Sequence, residues 1–238
     1  VLSLAFAAGP AATAANFRDA KPEATTTPVP RKDKFWIERQ DKLNARVKKH
    51  SNAELLFIGD SITHGWEGSG GKEIWKQYYG KRHAVNLGIG GDQTQHVLWR
   101  LDHGNLDGIH PKLAVVMIGT NNCGSNTSEE IADGVKAIVE KLRTKVPEIK
   151  VLVLDIFPRG PNAEDHLRKV NEAANERIAK LADGEHVFYL DIGPKFLGPD
   201  GTLSKEIMPD LLHPNAKGYE IWATSIEPTI VKLLGESS

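Results

Sequence analysis

Cysteine is nearly missing from this chain of 238 residues, where Cys123 is the one thiol. A single cysteine excludes an intramolecular disulfide and leaves no thiolate cluster for zinc or an iron–sulfur group. The nine histidines show no His-Glu-x-x-His or comparable ligand spacing, so a metal is not indicated. Excess charge is missing too, since the formal net charge is −1. No basic stripe points to nucleic acid, and no run of like charge points to an electrostatic membrane anchor. The apolar opening, Val1 to Ala8, is about eight residues long and too short to span a bilayer. No internal repeat is visible. What remains is 40% hydrophobic content, enough for one sizeable core, and a single α/β domain is the economical reading.

The first 32 residues differ from the rest. Ala12-Thr13-Ala14 has the Ala-x-Ala form of a signal-peptidase site, so residues 1–32 read as the tail of a signal peptide followed by a Thr/Pro-rich, extended linker. An Ala-rich arm is the alternative. Export, to a secreted or periplasmic location, is the expectation. The domain itself is expected over 33–238, and removal of the residues before Asp33 is expected to leave activity intact.

Trp36, Gln40, Leu43 and Val47 fall at helical spacing, with Asp33 placed to cap. Apolar runs then recur at Leu55–Ile58, His83–Leu87, Leu113–Ile118, Val151–Leu154 and Val187–Leu190. Each is separated from the next by helical periodicity: Val97, Leu98 and Leu101; Ile131, Val135, Ile138 and Leu142; about Ala163 to Ala182. Runs without alternation read as parallel strands buried on both faces. Their alternation with helices implies a doubly wound sheet with right-handed crossovers.

Chemistry-bearing residues collect where these strands end, which is where ligands sit in open α/β sheets. Leu55-Leu56-Phe57-Ile58 runs into Gly59-Asp60-Ser61; Ser61 there can be a helix N-cap or a nucleophile. Gly68-Ser69-Gly70-Gly71-Lys72 imitates a phosphate loop, but the first glycine of such a loop would fall at Trp66, and Glu73 follows Lys72. It reads as a flexible loop bordering the site. Gly88-Ile89-Gly90-Gly91-Asp92 opens like a dinucleotide fingerprint, yet its third glycine position is Gln93. Its glycines can instead aim backbone N–H groups at developing negative charge, or form a simple tight turn, with Asp92 free to cap the next helix. Asn121, after the third strand, can close an Asx turn or donate its amide into the site. Cys123 reads as a small packing residue, and Asp155 to Gly160 as a loop walling the pocket. Near the end, Asp210 and His213 share a turn ahead of the last helix. A carboxylate so placed can meet one imidazole nitrogen and leave the other free, although capping is the ordinary role of such an acid.

Taken together, Gly59-Asp60-Ser61, the glycine turn ending at Gly91, Gly119-Thr120-Asn121 and Asp210-x-x-His213 resemble the blocks of the SGNH (GDSL-type) hydrolases. Gly88 to Asp92 followed by Gln95-His96-Val97-Leu98-Trp99-Arg100-Leu101, with Pro158-Arg159-Gly160, looks like the catalytic subunits of intracellular platelet-activating-factor acetylhydrolase and their bacterial relatives. The resemblance spans about Asn52 to Leu234. It implies a flavodoxin-like three-layer sandwich with a five-stranded parallel sheet, helices on both faces. It also implies Ser61 as nucleophile, His213 as general base and acid, and Asp210 as orienting acid. The implied oxyanion hole is made of the N–H groups of Ser61 and Gly91 and the Asn121 side chain. No cofactor is implied, and a homodimer is, since the mammalian relatives associate as dimers. The absence of G-x-S-x-G argues against the α/β-hydrolase type.

The expectation is a serine esterase for short acyl, foremost acetyl, esters. Acetylated carbohydrate is the preferred substrate, with Trp66, Trp75 and Tyr78 as stacking surfaces, unless those rings are core or pocket wall. An acetylhydrolase or lysophospholipase on lipid-like esters is the second expectation. A noncatalytic glycan- or partner-binding module on the same fold is the third.

Overall fold

The computed structural model describes residues 23–236; the signal-like segment, and Lys21 and Pro22 of the linker, lie outside the described residues. The elements in chain order are α1 (Glu23–Thr26), α2 (Lys34–Lys49), β1 (Leu55–Gly59), α3 (Ser61–His64), α4 (Lys72–Tyr78), β2 (Ala84–Gly88), α5 (Thr94–Asp102), β3 (Leu113–Met117), α6 (Ser128–Lys145), β4 (Lys150–Leu154), α7 (His166–Ile178), β5 (Val187–Leu190) and α8 (Ala216–Leu234). The strands pair in parallel in the order β2-β1-β3-β4-β5. This is the flavodoxin-like order, in which the chain leaves β1 in both directions and opens a crevice at the β1/β3 carboxyl ends.

The strands carry apolar side chains on both faces because both are covered. Leu56, Ile58, Val85, Leu87, Val116 and Val153 pack on one face with residues of α2, α5, α6 and α7. Leu55, Phe57, Val115, Met117, Leu152 and Leu154 point the other way, into a core closed by Trp66, Tyr79, Trp222, Ile226 and Ile230. Two helical layers enclosing one sheet are the three-layer sandwich the sequence led us to expect.

The reading of Asp33 holds. Asp33 caps α2, accepting from the Trp36 N–H, and Thr127 with Glu130 forms a capping box on α6. Others change. Asp92 does not cap α5; Gln93 occupies that position, and the Asp92 carboxylate is buried in an ion pair instead. Of the linker, Glu23–Thr26 is a helical turn with Thr25 fully buried. Thr94 Oγ1 donates to the Thr25 carbonyl at 2.9 Å, and Val29 N–H donates to the Gln95 carbonyl at 3.2 Å. This segment straps the start of α5 rather than extending away. Trp66 is buried, and Trp75 and Tyr78 pack on the same core, with the Tyr78 hydroxyl donating to Glu220. Trp66 is core, and Trp75 and Tyr78 are half-buried wall against it rather than free stacking surfaces. Among the described residues no helix is long and apolar enough to cross a membrane.

Candidate active site

The site starts from the sharp exit of β1. Its last residue must be glycine, because a Cβ on Gly59 would overlap Thr63 Oγ1 and the Met117 carbonyl. Asp60 then caps α3, its Oδ1 accepting the Ile62 N–H at 3.0 Å. The cap role is therefore filled by Asp60, and Ser61, the first residue of the helix, has its hydroxyl free for other work. Burial, together with the Asp92 charge, pushes the Asp60 carboxyl up to about 7 against the pull of the Ile62 N–H and His213. On the far side, the Tyr219 hydroxyl donates to the Ile62 carbonyl at 2.7 Å, so α8 pins the same short helix.

The second component comes from the turn before α8. Leu211 takes a positive φ of 59°, an uncommon conformation for a side chain with a Cβ. The turn is held by Asp210 Oδ1, which accepts the N–H groups of Leu212 at 3.1 Å and His213 at 2.7 Å. The other oxygen, Oδ2, meets His213 Nδ1 at 2.6 Å. Partial burial works to raise the Asp210 carboxyl, but the His213 backbone N–H and ring, with Leu212, hold it below the ordinary value. His213 Nε2 lies 2.8 Å from Ser61 Oγ. Residues 152 positions apart thus form a continuous hydroxyl–imidazole–carboxylate chain, the geometry a serine nucleophile needs.

The third component is the loop after β2. Gly91 adopts φ 79°, in the region that favours glycine, and its N–H makes no hydrogen bond among the described residues. Gly90 backs on Ser61: a Cβ there would lie 3.8 Å from Ser61 Cβ. Asn121 joins from the β3 loop, its Nδ2 donating one hydrogen to the Asp92 carbonyl at 2.9 Å and its own carbonyl accepting Gln93 Nε2 at 2.7 Å. The amide keeps a second hydrogen for a ligand. Two bordering loops brace the whole. Gly160 N–H donates to the Leu211 carbonyl at 3.0 Å, and Arg159 donates to Thr120, beside Asn121. Gly68 to Gly71 is a hydrogen-bonded turn, with Gly70 against Asn215 and Ala216. Cys123 is buried, with Sγ 2.9 Å from the Thr120 carbonyl, the packing role expected of it.

Sequence reading passed over the buried frame beneath the site. Asp92 accepts from Trp36 Nε1 at 2.7 Å and from Arg100 Nε at 2.8 Å. Arg100 also donates to Asn105. Burial raises the Asp92 carboxyl, with Arg100 pulling against it. The available signal was Arg100 itself, a charge beside the apolar positions Val97, Leu98 and Leu101 on α5. Among the described residues no cluster of three or more His, Cys, Asp or Glu side chains is placed to hold a metal.

Residues 57–221 match the model of the GDSL-like lipase/acylhydrolase family, and the chain belongs to that family. It is an ester hydrolase. Its similarity to curated proteins extends over most of its length. It is 38% identical to human platelet-activating factor acetylhydrolase IB subunit alpha1, covering 90% of this chain and 92% of that one. It is 41% identical to the mouse alpha2 subunit, covering 86% and 87%. Among solved structures, a GDSL-like lipase from Bacteroides thetaiotaomicron superposes with TM-score 0.62 at 22% identity, covering 82% of this chain and 97% of that one. An acetyl-xylooligosaccharide esterase from Geobacillus does so with TM-score 0.60 at 20% identity, covering 78% and 95%. These two likenesses speak for the fold.

Proposed function

We propose that the chain is a serine esterase that removes acetyl groups from hydroxyl-bearing substrates, with O-acetylated carbohydrate as the substrate class. The observation that carries the reading is the 2.8 Å approach of Ser61 Oγ to His213 Nε2, with Asp210 on the opposite ring nitrogen at 2.6 Å. Ser61 attacks the ester carbonyl while His213 Nε2 takes its proton. Charge developing on the carbonyl oxygen is met by the N–H groups of Ser61 and Gly91 and by Asn121 Nδ2, donors held in place before the reaction begins. His213 then returns the proton to the departing alcohol. Water, deprotonated by the same nitrogen, hydrolyses the acetyl-enzyme and frees Ser61.

The openness of the site supports a bulky alcohol: the side chains of His213 and Asp210 are 42% and 56% exposed. Phe35, 52% exposed, borders Gly90 and stacks on His64 with ring centroids 6.1 Å apart, taking the place intended for Trp66, Trp75 and Tyr78. A second reading, an acetylhydrolase of lipid-like esters, is favoured by the acetylhydrolase relatives at 38–41% identity.

The test is hydrolysis of p-nitrophenyl acetate against longer acyl esters, with Ser61→Ala in parallel, followed by acetylated xylooligosaccharide and an acetylated glycerophospholipid. Acetate-selective turnover that is lost in the variant, and faster deacetylation of the sugar, is the expected result. Preference for the phospholipid would replace the carbohydrate reading. Activity surviving in Ser61→Ala would end the serine mechanism.

A further inference from the structure

The donor assigned to Gly91 is one end of a peptide unit whose other end is the Gly90 carbonyl. A trans peptide is planar, so its C=O and N–H point in opposite directions and turn together. Here the carbonyl is not free. Arg31 Nη1 donates to it at 2.7 Å. Flanked by two glycines, this unit has more freedom to rotate than its neighbours, since neither residue carries a Cβ to restrain it. A guanidinium on its oxygen removes that freedom. It also draws electron density toward the carbonyl, which makes the opposing N–H a stronger donor, because charge-assisted bonds polarise those in line with them.

Arg31 is itself built in. Its Nε donates to Asp33 Oδ2 at 2.9 Å, and its Nη1 stands 3.7 Å from Asp92 Oδ1. Asp33 caps α2 through Trp36 N–H, and Trp36 Nε1 returns to Asp92. The ring closes on the residue whose carbonyl holds Asn121. A Cβ on Gly91 would stand 2.9 Å from Arg31 Nη1 and push the guanidinium from its place on this turn. Arg31 lies outside the segment matched by the family model, in the stretch that sequence reading assigned to a linker.

We propose that Arg31 is a positioning residue of the oxyanion hole, holding and polarising the Gly90–Gly91 peptide so that the Gly91 N–H faces the developing oxyanion. The proposal rests on the serine-esterase reading above, so Ser61→Ala and Asn121→Ala are measured beside it. With p-nitrophenyl acetate, Arg31→Met is expected to lower kcat about 10- to 30-fold, less than the 10²–10³ of deleting a whole donor. KM should change less than about two-fold. Arg31→Lys should keep part of the rate, and millimolar guanidinium ion should restore part of it to Arg31→Ala. Arg31→Met combined with Asn121→Ala should lose less than the product of the two single effects, since both act on one charge. Unchanged kcat in Arg31→Met, with Ser61→Ala inactive and Asn121→Ala slowed about 10²–10³-fold, overturns this proposal and leaves the esterase reading standing. So does a rise in KM alone, which would make Arg31 a substrate contact. A kcat loss that neither lysine nor guanidinium recovers, accompanied by a lower melting temperature, overturns it in favour of a purely structural role. Full activity in Ser61→Ala overturns both.

Discussion

Asn121 shows what one side chain is asked to do at this site. Its backbone carbonyl is tied to Gln93 and one amide hydrogen to the Asp92 carbonyl, which leaves the second hydrogen aimed by two fixed points. Truncation to alanine removes that donor without touching the Ser61–His213 contact. A loss of about 10²–10³ in kcat is expected, with thermal stability little changed; a loss below a few-fold would reduce Asn121 to a turn former. At this scale the sequence was legible where a residue's role is local. Asp33 as cap and Cys123 as packing were readable from neighbours in the chain. Asp92 was not, because its partners Trp36 and Arg100 reach it only through the fold.

Elements meet at their ends, and the end of β4 illustrates the energetics. Asp155, buried where β4 terminates, accepts the Ile192 N–H at 2.8 Å and so ties the exit of β4 to the exit of β5. Burial pushes its carboxyl up to about 7, with the Asp191 charge adding to the rise and the Ile192 N–H opposing it. A raised acid means the folded state holds the proton more tightly than the unfolded state. The stability from this group is present below about pH 4, the ordinary range of an aspartate, and is lost as pH rises through about 7. Asp155→Asn keeps the acceptor and removes the titration. Its melting temperature relative to wild type should improve between pH 5 and about pH 7 and then level off, measured by thermal melts; a constant difference would show that Asp155 does not titrate in that window. Strand and helix identities were visible in the spacing of apolar residues. The β4 exit was not, because nothing local to Asp155 announces that Ile192 will lie across from it.

Over the whole molecule, the order β2-β1-β3 puts three loop ends side by side, and with them Ser61, Gly91 and Asn121. The segment 23–32 covers the outside of the same corner, and this reverses an expectation. Removal of residues 1–32 takes away the buried Thr25, the Thr94 and Val29 hydrogen bonds and Arg31. It should lower both kcat and the melting temperature, and wild-type values for both would return the segment to the status of a linker.

The sequence alone determined the layers of this protein, since parallel strands buried on two faces and amphipathic helices are written as periodicity, which is local. It also marked Ser61, Asp210 and His213, because each stands at the end of an element with chemistry-bearing neighbours. Only the tertiary structure decided that Trp66 is core with Trp75 and Tyr78 half-buried against it, and that Arg31 reaches Gly90. The Arg31 contact joins residues 59 positions apart, and its partner is chosen by packing rather than by spacing along the chain.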